Sequence, residues 1–109
     1  DLNKVAQASL RASLKALGVM EDDNDLGLYY YHGVSHHLGL DVHDLGPRTG
    51  EIKPGMIFTV EPGLYIAKEG IGIRIEDDVV ATSKGPRVLT ADVVKDIADI
   101  EHLMAQAKA

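Results

Sequence analysis

Apolar positions recur at the helical period in the first stretch of the chain. Leu2, Val5, Ala6, Leu10 and Leu17, with Ser13, share one face, which predicts a helix over residues 2–17. Gly18 is placed to end it. Residues 21–27 are acidic and loop-like, and they run into Tyr29-Tyr30-Tyr31, a β-prone patch. Leu38, Leu40 and Val42 then alternate with Gly39, Asp41 and His43, the pattern of a half-buried strand. Gly46, Pro47, Gly50, Pro54 and Gly55 mark a loop. Met56 to Ile66 and Ile71 to Ala81 read as two further strands, Lys84-Gly85-Pro86 as a turn, and residues 87–94 as a last short strand. Asp96 is placed to cap a closing helix, with Ile97, Ile100, Leu103 or Met104, and Ala107 along one side. Helix, antiparallel strands and helix in that order give an α+β class, an antiparallel sheet flanked by helices. No linker or repeat divides residues 1–109, which read as a single unit.

The two long strands can be set against each other. If Ala67-Lys68-Glu69-Gly70 is the hairpin connection, Ile66 meets Ile71. The same register carried backwards puts Glu61 opposite Glu76, with Cβ atoms roughly 5 Å apart. Two carboxylates that close repel unless a positive charge or a proton lies between them. Alternation places Ile71, Ile73 and Ile75 on one face and Gly72, Arg74, Glu76 and Asp78 on the other, so Arg74 shares the glutamate face. Pro62-Gly63 is the point where a bulge could shift this register.

Composition narrows the classes. A chain of 109 residues suits one small domain, which buries roughly two-thirds of its unfolded surface. The 45% hydrophobic fraction is that of a globular protein. A net charge of −6 argues against a nucleic-acid partner. No apolar run is long enough to span a bilayer, no signal-peptide pattern is present, and no membrane partner is expected. The absence of cysteine excludes thiolate metal sites and fits a cytoplasmic protein.

Candidate chemistry sits in three separated pieces: His32-Gly33-Val34-Ser35-His36, Thr59-Val60-Glu61-Pro62-Gly63 and Gly72-Ile73-Arg74-Ile75-Glu76-Asp77. One imidazole with two carboxylates suits a divalent ion such as Mn, Zn or Co. Each element has a plainer reading. A lone strand glutamate is ordinarily solvated or salt-bridged, and Arg74 could partner both. His32 and His43 taken alone are more often hydrogen-bonded scaffold. The tyrosine run is core or pocket wall. Glu21 to Asp25 lacks the glycine and terminal glutamate of a calcium loop. Gly70 and Gly72 are turn residues, since no helix follows to make a phosphate cradle.

The run from His32 to Asp44, His-Gly-Val-Ser-His-His-Leu-Gly-Leu-Asp-Val-His-Asp, resembles the histidine signature of the Xaa-Pro aminopeptidases (aminopeptidase P) and prolidases. Ile52-Lys53-Pro54-Gly55-Met56 followed by Thr59 to Tyr65 resembles the next block. Gly72 to Asp78 resembles the third, and Leu89-Thr90 with the closing helix resembles the C-terminal end. The blocks follow in the family order from about Tyr31 to Met104.

This resemblance implies the C-terminal half of a pita-bread (creatinase/aminopeptidase) catalytic domain with a dinuclear metal centre, usually Mn, held by five protein ligands. His36, Glu61 and Glu76 match three of them. Glu76 would bridge the two ions, and His36 and Glu61 would bind the same one. His43 matches the histidine that contacts substrate and stabilises the tetrahedral intermediate. His32 matches a second histidine at the substrate pocket, and Arg74 the arginine beside the bridging glutamate. The other two ligands are aspartates expected upstream, the second followed by Thr-Arg, and no Asp here is followed by Thr. The expectation is therefore an Xaa-Pro peptidase, inactive as this chain alone, that holds at most one ion and pairs with a missing N-terminal half or with itself as a homo-oligomer. Prolidase activity and a metal-free peptide-binding or assembly module on the same fold are the alternatives. All three ligand positions carry liganding residues, which favours the peptidase.

Overall fold

The computed structural model describes residues 1–47 and 49–107. Helix α1 spans Leu2–Ala16, and the Asp1 carboxylate caps it by accepting from the Lys4 backbone N–H at 3.4 Å. Gly18, at φ +67°, takes the left-handed turn that ends it. The buried face differs from the expected one. Leu14 is fully buried and packs with Ala6 and Leu10, a stripe at steps of four, while Val5 and Leu17 stay exposed. The chain then departs from the acidic loop expected at residues 21–27. A single 3-10 turn, Asp23–Asp25, capped by the Asp22 side chain on Asn24 N, leads into a short helix α2, Leu26–Tyr29. Tyr29 ends that helix instead of opening a strand, and its hydroxyl donates to the Val19 carbonyl at 2.8 Å. Tyr30 turns into extended backbone and joins Leu14, Met20, Leu26 and Val34 in the core.

Both long strands form, and each breaks once. The segments are β1 (Ile57–Val60), β2 (Gly63–Ile66), β3 (Ile71–Arg74) and β4 (Asp77–Thr82), with β5 (Gly85–Val88) at the far edge. β2 and β3 pair from Ile66↔Ile71 to Gly63↔Arg74, and β1 and β4 pair from Ile57↔Val80 to Val60↔Asp77. These two ladders keep the register set by the hairpin, with no bulge. The gap has a physical cause. Thr59 and Glu61 donate their N–H groups outwards, to His36 and Val34. Alternation then requires Pro62 to donate towards Ile75, and proline has no N–H. Glu61 and Glu76 therefore lie in the gap between a two-stranded and a three-stranded sheet.

Three further expectations are corrected. Residues 38–42 form no strand. The extended segment is 34–38, which lies along the free edge of β1 through Glu61 N to Val34 O (2.8 Å), Thr59 N to His36 O (2.9 Å) and Leu38 N to Ile57 O (3.2 Å). Residues 39–45 leave the edge as a loop with Leu40 and Leu45 fully in solvent. The last strand is Gly85–Val88 rather than 87–94, because the turn is Ser83-Lys84 and Gly85 at φ +116° already pairs with Thr82. The closing helix α3, Ile97–Gln106, is capped by Asp96 as expected, but its apolar side is exposed. The β1–β4–β5 sheet is likewise open on one face, where Ile52, Phe58, Val60, Val79 and Val88 line an apolar groove of about 560 Å³. Among the described residues no helix is long and apolar enough to cross a membrane.

Candidate metal centre

His36 is fixed by its backbone. Its carbonyl accepts from Thr59 N, and its N–H donates to Thr59 Oγ1 at 3.1 Å. The segment is tied to α1 as well, through Val34 N donating to Asn3 Oδ1 at 2.9 Å. The His36 ring places Nδ1 3.0 Å from the His37 carbonyl oxygen. A carbonyl can only accept, so Nδ1 carries a proton, and the tautomer this selects has its lone pair at Nε2. That nitrogen lies 3.4 Å from Glu61 Oε1 and 3.9 Å from Glu76 Oε1.

The carboxylates are held from the other side. Thr59, only 1% exposed, donates its hydroxyl to Glu61 Oε1 at 3.1 Å while accepting from His36 N. One buried hydroxyl thus links two of the three converging groups. Nothing in the sequence pattern singled out Thr59; the available signal was a hydroxyl two positions before Glu61, hence on the same strand face. Arg74 behaves as expected from alternation. Its Nε lies 3.8 Å from Glu61 Oε2 and 3.9 Å from Glu76 Oε2, on the outer rim of the pair.

The potential ligand atoms of His36, Glu61 and Glu76 fall within 4.8 Å of one another. One lone-pair nitrogen and two carboxylates converging beside a single guanidinium leave an excess of electron-rich atoms. A divalent cation fits that donor set, and the partners behind it have the form of outer-shell supports: a carbonyl fixing the imidazole tautomer and a hydroxyl orienting a carboxylate.

The other two histidines flank this cluster. The exposed His43 ring packs against His36 at a centroid distance of 4.3 Å. His32 lies farther along, with Nδ1 2.8 Å from the Gly33 carbonyl and Nε2 2.8 Å from Tyr65 Oη, so the Tyr65 hydroxyl donates to the ring. Tyr30 packs edge-on against His32, and Tyr31 lies over Tyr65. Gly63 leaves room for the Tyr65–His32 pair, which a larger residue would push apart. A Cβ on it would stand 2.6 Å from Tyr65 Oη and 2.8 Å from His32 Nε2. Burial pushes the Tyr30 phenol above its ordinary range, and Glu61 and then Tyr65 add to the rise; its hydroxyl is buried without a hydrogen-bond partner. Beyond Glu76, the Thr90 hydroxyl donates to Asp77 Oδ1 at 2.6 Å and Lys95 Nζ lies 3.0 Å away. The Thr90 hydrogen bond, with Lys95 adding to it against a burial effect, holds the Asp77 carboxyl below the usual range. This latch ties residues 90–95 to the start of β4.

Comparison with known proteins shows what the chain is similar to. The family model of metallopeptidase family M24 matches residues 1–83. The Xaa-Pro aminopeptidase of Escherichia coli (strain K12) is 46% identical over an alignment 116 positions long, gaps included, which covers 89% of this chain and 26% of that protein. The solved structure of Pseudomonas aeruginosa aminopeptidase PepP superposes with a TM-score of 0.85 at 43% identity, covering 97% of this chain and 29% of that one. A zinc-substituted E. coli aminopeptidase P in complex with product superposes at 0.77, with 42% identity over 96% of this chain and 28% of that one. The chain therefore spans about a quarter of the length of the relatives it matches.

Proposed function

The chain belongs to metallopeptidase family M24, and from that premise we propose that it supplies three ligands and the substrate-facing histidines of an Xaa-Pro aminopeptidase. The observation that carries this is the convergence of His36 Nε2 with Glu61 and Glu76. His36, Glu61 and Glu76 would hold divalent ions there, together with two aspartates outside these 109 residues. Manganese is the proposed metal, with zinc or cobalt able to occupy the same donors. Bound there, divalent ions supply Lewis-acid polarisation of the scissile carbonyl and acidify a water.

The chain's own residues do the rest. Thr59 and the His37 carbonyl hold Glu61 and His36 in place, so that little reorganisation accompanies reaction. Arg74 offsets the charge of the carboxylate pair. Glu61 passes a proton from the attacking water to the leaving proline nitrogen. His43, exposed beside His36, donates to the substrate carbonyl oxygen as negative charge develops there. His32, with Tyr65, Tyr30 and Tyr31, forms the wall against which the proline ring rests.

The test is peptide hydrolysis by the full-length, manganese-loaded protein on matched Xaa-Pro and Xaa-Ala tripeptides. Cleavage confined to Xaa-Pro supports the assignment, and equal cleavage of Xaa-Ala refutes the proline specificity. Cleavage restricted to dipeptides marks a prolidase instead. Glu76→Ala abolishes turnover if Glu76 bridges the ions.

A further inference from the structure

His43 lies on a loop that has almost nothing to hold it. Between Gly39 and Leu45 the apolar side chains point into solvent: Leu40 is 102% exposed, Leu45 97% and Val42 68%. The edge pairing with β1 stops at Leu38. Within the loop one backbone bond, Gly39 N–H to the Asp41 carbonyl at 3.2 Å, is joined by the bonds of a single side chain. Asp44 Oδ2 accepts from Leu40 N at 2.9 Å, and Asp44 Oδ1 accepts from Leu45 N at 2.8 Å. The Asp44 backbone N–H donates to the His37 carbonyl at 3.0 Å, the oxygen that also receives His36 Nδ1. The loop base and the tautomer of His36 thus share an acceptor. The carboxylate fits so closely under the backbone that a Cβ on Gly39 would run into it.

We propose that Asp44 is a positioning residue, whose carboxylate closes the Gly39–Leu45 loop and thereby holds the His43 ring against His36. It acts through His43 and touches no reacting atom. The inference rests on the reading of His43 as the substrate-facing donor. Without the two backbone bonds, the loop samples open conformers, and the fraction of molecules with His43 in place falls.

The experiment uses the full-length, manganese-loaded enzyme. Amide hydrogen exchange is followed by mass spectrometry in peptides covering residues 38–47, alongside kcat, KM and metal content. Asp44→Ala is expected to accelerate exchange in this segment by at least tenfold. It should lower kcat about tenfold with KM and bound metal little changed. Gly39→Ala, which displaces the carboxylate without altering it, should do the same. Asp44→Asn keeps one acceptor oxygen and should fall between. In the His43→Ala background, Asp44→Ala should have little further effect on kcat, because its role has already been removed. Wild-type exchange in Asp44→Ala overturns the proposal, as do losses that multiply in the double variant. If His43→Ala itself leaves kcat unchanged, the substrate role of His43 is what fails. The exchange result alone then decides whether Asp44 holds the loop.

Discussion

Thr59→Val removes a hydroxyl and little else. That hydroxyl accepts from His36 N at 3.1 Å and donates to Glu61 Oε1 at 3.1 Å, at a residue only 1% exposed. A neutral backbone hydrogen bond contributes about 1 kcal/mol net, and one to a carboxylate about 1.5–3 kcal/mol. The sum is about 2.5–4 kcal/mol of stability, the valine methyl offsetting a small part. The change also frees both His36 and Glu61 from their common support. Loss of such outer-shell partners typically weakens metal binding by about 10–100-fold. Thr59→Ser is the control. It keeps both hydrogen bonds, loses one methyl at about 1 kcal/mol, and should bind metal like the wild type. Urea unfolding of the metal-free full-length protein measures the first quantity, and calorimetric titration with Mn²⁺ the second. Wild-type metal affinity in Thr59→Val would refute the claim that this hydroxyl organises the donor set. Equal losses in Thr59→Ser and Thr59→Val would attribute the effect to packing.

Other substitutions probe neighbouring elements. Gly63→Ala should separate Tyr65 from His32 and raise KM for Xaa-Pro peptides several-fold with metal content intact; unchanged kinetics would remove that pair from the pocket. Tyr30→Phe deletes a buried hydroxyl that has no partner, so stability at neutral pH should stay level or rise by about 1 kcal/mol. The Tyr30 phenol titrates above its ordinary 10.0 in the folded state, so the unfolded chain loses its proton first as pH rises. Wild-type stability should therefore decline from about that pH upwards, and by less in Tyr30→Phe, as read from urea midpoints at pH 8 to 11. The 109-residue chain alone should bind at most one Mn²⁺, weakly, and none as His36→Ala; two tight sites would bring in Asp41 or Asp78 as ligands.

Much of the site was legible because it depends on strand alternation and on one turn. Placing the hairpin at Ala67–Gly70 was enough to face Glu61 with Glu76 and to put Arg74 beside them. What periodicity missed was decided by hydrogen bonding or by context. Leu38, Leu40 and Val42 alternate like a strand, but Asp44 offers the backbone a competing set of bonds and closes it into a loop. The strand edge passed instead to residues 34–38, where Ser35 and two histidines carry no β signal. Pro62-Gly63 is the point where a bulge could arise, yet Pro62 only removes a donor and leaves the register intact. On α1 the pattern favoured a face through Val5 and Leu17, yet the core takes Leu14, because Met20 and Leu26 return to that side after Gly18. Thr59 was hidden because a threonine in a strand is ordinary, and only its two bonds distinguish it.

The interrupted ladder also bears on how such a chain can change over evolutionary time. The alignment of Glu61 with Glu76 is specified twice, once by β2–β3 and once by β1–β4. The hairpin tip, from the 3-10 turn at Ala67–Glu69 to Gly70, is thus not the only determinant of their match. Residues inserted or deleted at this tip would leave β1 and β4 in step and the glutamates still opposed. Doubling the length of a flexible connection adds only about 0.6 kcal/mol of closure entropy. The tip is therefore a site where descendants can acquire new surface, including contacts with other chains, while the chemistry beneath stays under separate selection.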